Sequence, residues 1–76
     1  MQRFRMEVVR KRLGWSQTKL GGATDISASE VSRIERGRTN PTPQELARLA
    51  RVLKLKPHQV LEPVEVIQDD FGRRAG

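Results

Sequence analysis

Cysteine and tyrosine are absent from the chain, and it holds one tryptophan, Trp15, and one histidine, His58. Without thiols there is neither a disulfide framework nor a thiolate metal site, and a lone imidazole cannot assemble a zinc site, so no metal and no cofactor is expected. Long apolar runs are missing too. Counting Ala, Val, Ile, Leu, Met, Phe and Trp, no uninterrupted apolar stretch exceeds two residues. Neither a membrane span nor a signal-peptide core is therefore expected, and the chain reads as soluble, cytoplasmic and without a membrane partner. Catalytic combinations are equally scarce: there is no Ser/His/Asp set, no paired acidic pocket and no Gly-rich phosphate loop. No catalytic residue is assigned and an enzyme is not expected. A chain of 76 residues buries only ~60% of its unfolded surface, enough for one small core and no second domain.

What the sequence has in quantity is positive charge. Fifteen Lys plus Arg stand against nine Asp plus Glu, a formal +6, with a pI near 11.1. Residues 1–61 carry thirteen basic and five acidic side chains, whereas residues 62–76 carry two and four. The basic body points to a polyanionic partner, although an Arg-rich genome or a merely solvated surface raises the pI as well.

Periodicity and punctuation divide the chain into helices. Phe4 or Met6, Val9 and Leu13 recur at three- and four-residue spacing, which predicts an amphipathic helix over 3–13 that Gly14 stops. Ser16 can cap a second helix, about Gln17–Thr24, with Leu20, Gly21 and Ala23 inward. That helix is weak, because Gly21 and Gly22 each cost about 1 kcal/mol relative to Ala. Ser27-Ala28-Ser29-Glu30 has the form of a capping box and starts a third helix at 28, with a narrow stripe of Val31 and Ile34 and Gly37 as its stop. Thr42-Pro43-Gln44-Glu45 repeats the signal for a fourth helix, whose buried stripe is Leu46, Leu49, Ala50 and Leu53. Lys54-Leu55-Lys56-Pro57 restarts the chain as a short fifth helix ending near Leu61. No strand pattern occurs before residue 63. The expectation is an all-α, compact five-helix domain over 6–61, with 1–5 as an N-terminal extension of the first helix and 62–76 as a C-terminal extension, a candidate dimerisation segment followed by a disordered tail. In that extension Val64 and Val66 alternate as in a strand, while Val64, Ile67 and Phe71 also fit helical spacing. Residues 72–76 have nothing to bury and read as disordered.

Residues 16–37 combine a short helix, a tight connection around Asp25 and Ile26, and a capped helix, which is the helix-turn-helix arrangement. Met6, Val9-Arg10, Trp15-Ser16-Gln17, Leu20, Ile26-Ser27, Val31 through Gly37, Asn40-Pro41, Leu46, Leu49-Ala50 and Leu53 follow in order. With these residues the chain resembles the phage repressor and Cro type of DNA-binding domain, the xenobiotic-response-element family, over about residues 6–61. The resemblance implies a lambda-repressor-like fold and a sequence-specific regulator of transcription that binds double-stranded DNA. Two departures stand out: Gly21 where the family has a small Ala-like residue, and Asp25 where it has Gly. Thr24 also occupies a commonly apolar position.

By this resemblance Ala28, Ser29 and Arg33 face the base edges, with Ser32 close by. Arg33 can donate two bonds to O6 and N7 of one guanine, Ser29 donates or accepts, and the Ala28 methyl can touch a thymine methyl. Gln17, at the positive end of the second helix, is a phosphate contact, and Lys19, Arg36, Arg38 and Asn40 flank the same surface as phosphate grips. Arg10 and Glu35 resemble a structural pair linking the first helix to the end of the third. Trp15 is expected to pack over the junction of helices one and two, and His58 to lie at the surface. The simplest regulator is a repressor that binds a pseudo-palindromic operator as a homodimer. An antitoxin or adaptor that mainly binds a protein partner, or a controller of a restriction-modification operon, is the alternative.

Overall fold

Three helices begin at a hydroxyl. The structure, a computed structural model, describes residues 2–65. In it Ser16 Oγ accepts from the Lys19 amide at 3.0 Å, Ser27 Oγ from the Glu30 amide at 3.1 Å and Thr42 Oγ1 from the Glu45 amide at 3.1 Å. Each satisfies a backbone donor that the first turn leaves unpaired. Helices α1 (Arg5–Arg12), α2 (Gln17–Thr24), α3 (Ala28–Glu35), α4 (Pro43–Leu53) and α5 (Pro57–Val60) result. At α4 the box closes in both directions, since Glu45 Oε1 accepts from the Thr42 amide at 2.9 Å. At α3 only the serine half forms, because the Glu30 carboxylate turns outward to Arg33 Nη1 at 3.2 Å.

The helices pack around Met6, Leu20, Ile26, Val31, Ile34, Leu49, Ala50, Leu53 and Val60, with Phe4, Val9, Trp15 and Leu46 closing the edges. Two expectations about this core are corrected. Leu13 is 49% exposed: α1 stops one residue short of it, and Arg10, the preceding residue on that face, reaches for α3 instead of the core. Ala23 is also exposed, and Thr24 is buried in its place. Thr24 Oγ1 donates to the Leu20 carbonyl at 2.7 Å, so the hydroxyl enters the core without losing a hydrogen bond.

The expectation of no strand before residue 63 is corrected as well. Gln2–Phe4 form strand β1 and Pro63–Glu65 strand β2, an antiparallel ribbon in the register Gln2↔Glu65, Arg3↔Val64, Phe4↔Pro63. The helix expected from residue 3 therefore starts at Arg5, and the strand reading of Val64 holds within the ribbon. A three-residue strand is too short to show a period, and its partner lies at the other end of the domain. The Arg5 amide donates to the Glu62 carbonyl at 2.8 Å and Arg5 Nε to the Glu62 carboxylate at 2.7 Å, continuing the ribbon into α1. Ile67, Phe71 and residues 72–76 lie outside the described residues.

Candidate nucleic-acid interface

The connection between α2 and α3 is set by Gly21 and Asp25. Asp25 holds φ 59 and ψ 39 as the left-handed cap of α2, and the Ile26 amide returns to the Gly21 carbonyl at 2.9 Å. A Cβ on Gly21 would collide with the Ile26 carbonyl oxygen. Glycine at this position thus lets the start of α3 lie directly against α2, and Asp tolerates the left-handed cap where few other side chains do.

With Val31 and Ile34 fully buried, α3 is held by one side. Its outer side carries Ser29 and Arg33 exposed and Ala28 and Ser32 half-buried. These four side chains join Gln17, Arg36 and Arg38 around an open concavity of about 490 Å³. The structure thereby brings the four expected base readers to one surface with three of the five expected phosphate grips. Lys19 and Asn40 are exposed but do not line it. Lys19 Nζ lies 5.3 Å from the centroid of the Trp15 ring, a cation–π contact on the outer side of the half-buried tryptophan. Among the described residues the Arg33 side chain is tied to Glu30 alone, and with a side chain 60% exposed this pair contributes ~1 kcal/mol or less. The guanidinium is therefore available to a base at small cost.

Behind this surface sits a buried ionic hinge. Arg10 Nε donates to Glu35 Oε2 at 2.7 Å and Arg10 Nη2 to Glu35 Oε1 at 3.1 Å, a two-pronged fork between α1 and the last turn of α3. Arg10 Nη1 donates to the Trp15 carbonyl at 2.7 Å, and Gln17 Nε2 to Glu35 Oε1 at 2.9 Å. One carboxylate thus couples α1, the entry to α2 and the end of α3. Gln17, expected as a phosphate contact, points its amide into this network, which leaves the backbone start of α2 as the part turned to solvent.

Two features of the frame had no signal in the sequence, the reach of Arg48 and the burial of Glu7. Arg48 Nε donates to the Thr24 carbonyl at 2.7 Å and so anchors the end of α2 to α4. Glu7 is only 6% exposed and takes both Arg3 Nη1 and Lys11 Nζ at 3.0 Å on the same oxygen. An i, i+4 spacing made the pairs with Arg3 and Lys11 legible, but the burial depends on the ribbon covering the start of α1.

A tri-helical frame that turns the arginine-bearing side of its second motif helix to solvent defines a helix-turn-helix domain. The chain belongs to the helix-turn-helix family, which it matches over residues 7–60. It is 37% identical over 65 residues to the HTH-type transcriptional regulator DdrOP3 of Deinococcus deserti, covering 86% of this chain and 50% of that protein. The chain thus spans about half the length of this curated relative. Its fold is similar to that of the P22 c2 repressor, solved in complex with a synthetic operator, with a TM-score of 0.73 and 31% identity over 76% of this chain and 88% of that one. It is also similar to a hypothetical transcription factor, NHTF, from Neisseria, with a TM-score of 0.69 and 27% identity over 93% of this chain and 76% of that one. Among the described residues no helix is long and apolar enough to cross a membrane.

Proposed function

We propose that this chain is the double-stranded DNA-binding domain of a cytoplasmic transcription regulator, a repressor that pairs as a homodimer on a pseudo-palindromic operator. The observation that carries the reading is the basic concavity along α3, in which Ala28, Ser29, Ser32 and Arg33 sit between the guanidiniums of Arg36 and Arg38 and the start of α2. An α-helix of this kind fits the major groove with its first turns at the base edges. Arg33 reads a guanine, Ser29, Ser32 and Ala28 supply adaptable and apolar contacts, and Lys19, Arg36, Arg38 and Asn40, with the backbone start of α2 at Gln17, set the register on phosphates. The family membership and the operator-bound P22 c2 repressor of similar fold support the choice of duplex DNA over a protein partner. One half-site contacted by so small a domain binds weakly, so two half-sites about one helical turn apart supply the affinity.

Selection of bound sequences from a random duplex pool tests the reading. It should return a two-fold related consensus containing a guanine whose preference disappears in Arg33→Ala, with a loss of ~1–3 kcal/mol on that consensus and little change on scrambled duplex. A pool that yields no consensus would place the function with a protein partner instead.

A further inference from the structure

A second concavity, of about 400 Å³, shares Arg36 and Arg38 with the α3 concavity. Its walls include Arg3 and Phe4 of β1, and its acidic members are Glu7 and Glu35. Both carboxylates are already engaged from within. Glu35 takes Arg10 and Gln17, while Glu7 takes Arg3 and Lys11 on one oxygen. One carboxylate neutralises one cation, so the Glu7 cluster retains a net positive charge. Arg36 and Arg38 add two more, since neither makes a side-chain hydrogen bond or ion pair among the described residues. Arg3 and Lys11 remain 38% and 50% exposed at the side chain, whereas Glu7 is 8% exposed there. The acid is hidden and the cations face outward.

From this geometry we propose that the concavity between β1 and the turn after α3 is a second phosphate subsite, which takes a DNA backbone phosphate flanking the segment read by α3. Arg3, Arg36 and Arg38, which line it, are its donors. Glu7 is a positioning residue that holds Arg3 at the wall from a buried oxygen and takes Lys11 on the same atom. The proposal rests on the DNA-binding reading above and extends the footprint from the helix-turn-helix to the N-terminal ribbon. The shared position of Arg36 and Arg38 on both concavities makes the two surfaces one continuous basic track, and phosphates along a duplex form a matching continuous line of charge.

The experiment measures binding of the full chain to a labelled random-sequence duplex over a series of KCl concentrations, with the fold of each variant checked by circular dichroism. Arg3→Gln should make the slope of log K against log salt shallower by about 0.9, the value of one lost phosphate contact. Arg51→Gln, which removes an exposed charge on α4 away from both concavities, should leave the slope unchanged. Glu7→Gln makes the surface more positive, yet it should weaken binding because it releases Arg3. A wild-type slope in Arg3→Gln, an equal loss in Arg51→Gln, or tighter binding by folded Glu7→Gln would each overturn the subsite while leaving DNA binding intact. No duplex binding by the wild-type chain would instead sink the DNA reading itself.

Discussion

Gly21 and Gly22 are neighbours in α2, and substitution should act on them in opposite directions. Adding a methyl group at Gly21 drives it into the Ile26 carbonyl, whereas a Cβ on Gly22 meets nothing within 4 Å. Gly21→Ala should therefore cost ~1–3 kcal/mol through forced backbone movement, and Gly22→Ala should stabilise by ~0.5–1 kcal/mol through helix propensity and reduced unfolded-state entropy. Urea denaturation followed by helical circular dichroism separates the two. The Arg10–Glu35 fork makes a stronger demand. Arg10→Met strands a buried carboxylate with only the Gln17 amide beside it, a loss of ~3–5 kcal/mol, against the ~5–15 kcal/mol that holds a typical domain folded. The double variant Arg10→Met, Glu35→Met should recover most of that loss, since it removes the stranded charge. The same denaturation experiment, read as a double-mutant cycle, checks it.

At the scale of the element, α4 is the best-defined helix, with a reciprocal box at one end and a left-handed lysine at the other. Lys54 holds φ 58, a conformation that glycine adopts without strain. Thr42→Ala should cost about 1 kcal/mol by unpairing the first turn, and Lys54→Gly should stabilise by about 0.5–1 kcal/mol, the relief of a left-handed side chain less the added freedom of the unfolded glycine. Thermal melts of the two single variants test both signs. The recognition helix α3 depends on its neighbours more than α4 does, because its stripe is only Val31 and Ile34 and its cap is one-sided. Its angle is set from outside, by the Gly21 contact and by the hold of Arg10 and Gln17 on Glu35.

The whole molecule separates a core from a charged face. Ten apolar side chains between Met6 and Val60 are buried, and the ribbon ties the two ends of the domain together at Glu65. The apolar Val66, Ile67 and Phe71 follow the ribbon in sequence. If they serve the proposed homodimer, a chain ending at Glu65 should keep its helicity and melting midpoint, sediment as a monomer, and bind a duplex with two half-sites no better than one with a single half-site. The physical reason is effective concentration, which only a paired molecule gains at the second site. A lowered melting midpoint would assign these side chains to the monomer core. A truncated chain that remains dimeric would move the interface to the α4–α5 corner.

Local chemistry made much of this protein legible from its residues. Capping hydroxyls, glycine stops and three- and four-residue spacing act within one or two turns, so the five helices fall close to the positions they predict. The exposed row on α3 follows from the same spacing, since Val31 and Ile34 leave Ala28, Ser29, Ser32 and Arg33 no place in the core. Contacts between distant parts of the chain had no such signature. The β1–β2 ribbon joins residues 2–4 to residues 63–65, and three residues cannot display a period. The inward turn of Thr24, the reach of Arg48 to its carbonyl and the turn of Gln17 toward Glu35 depend on which helix lies alongside, and the burial of Glu7 depends on the ribbon. Sequence alone determined which segments become helices and that the outer row of α3 stays out of the core. Packing decided which polar groups could be buried, because a buried charge or hydroxyl is tolerated only where another element brings its partner within hydrogen-bond reach.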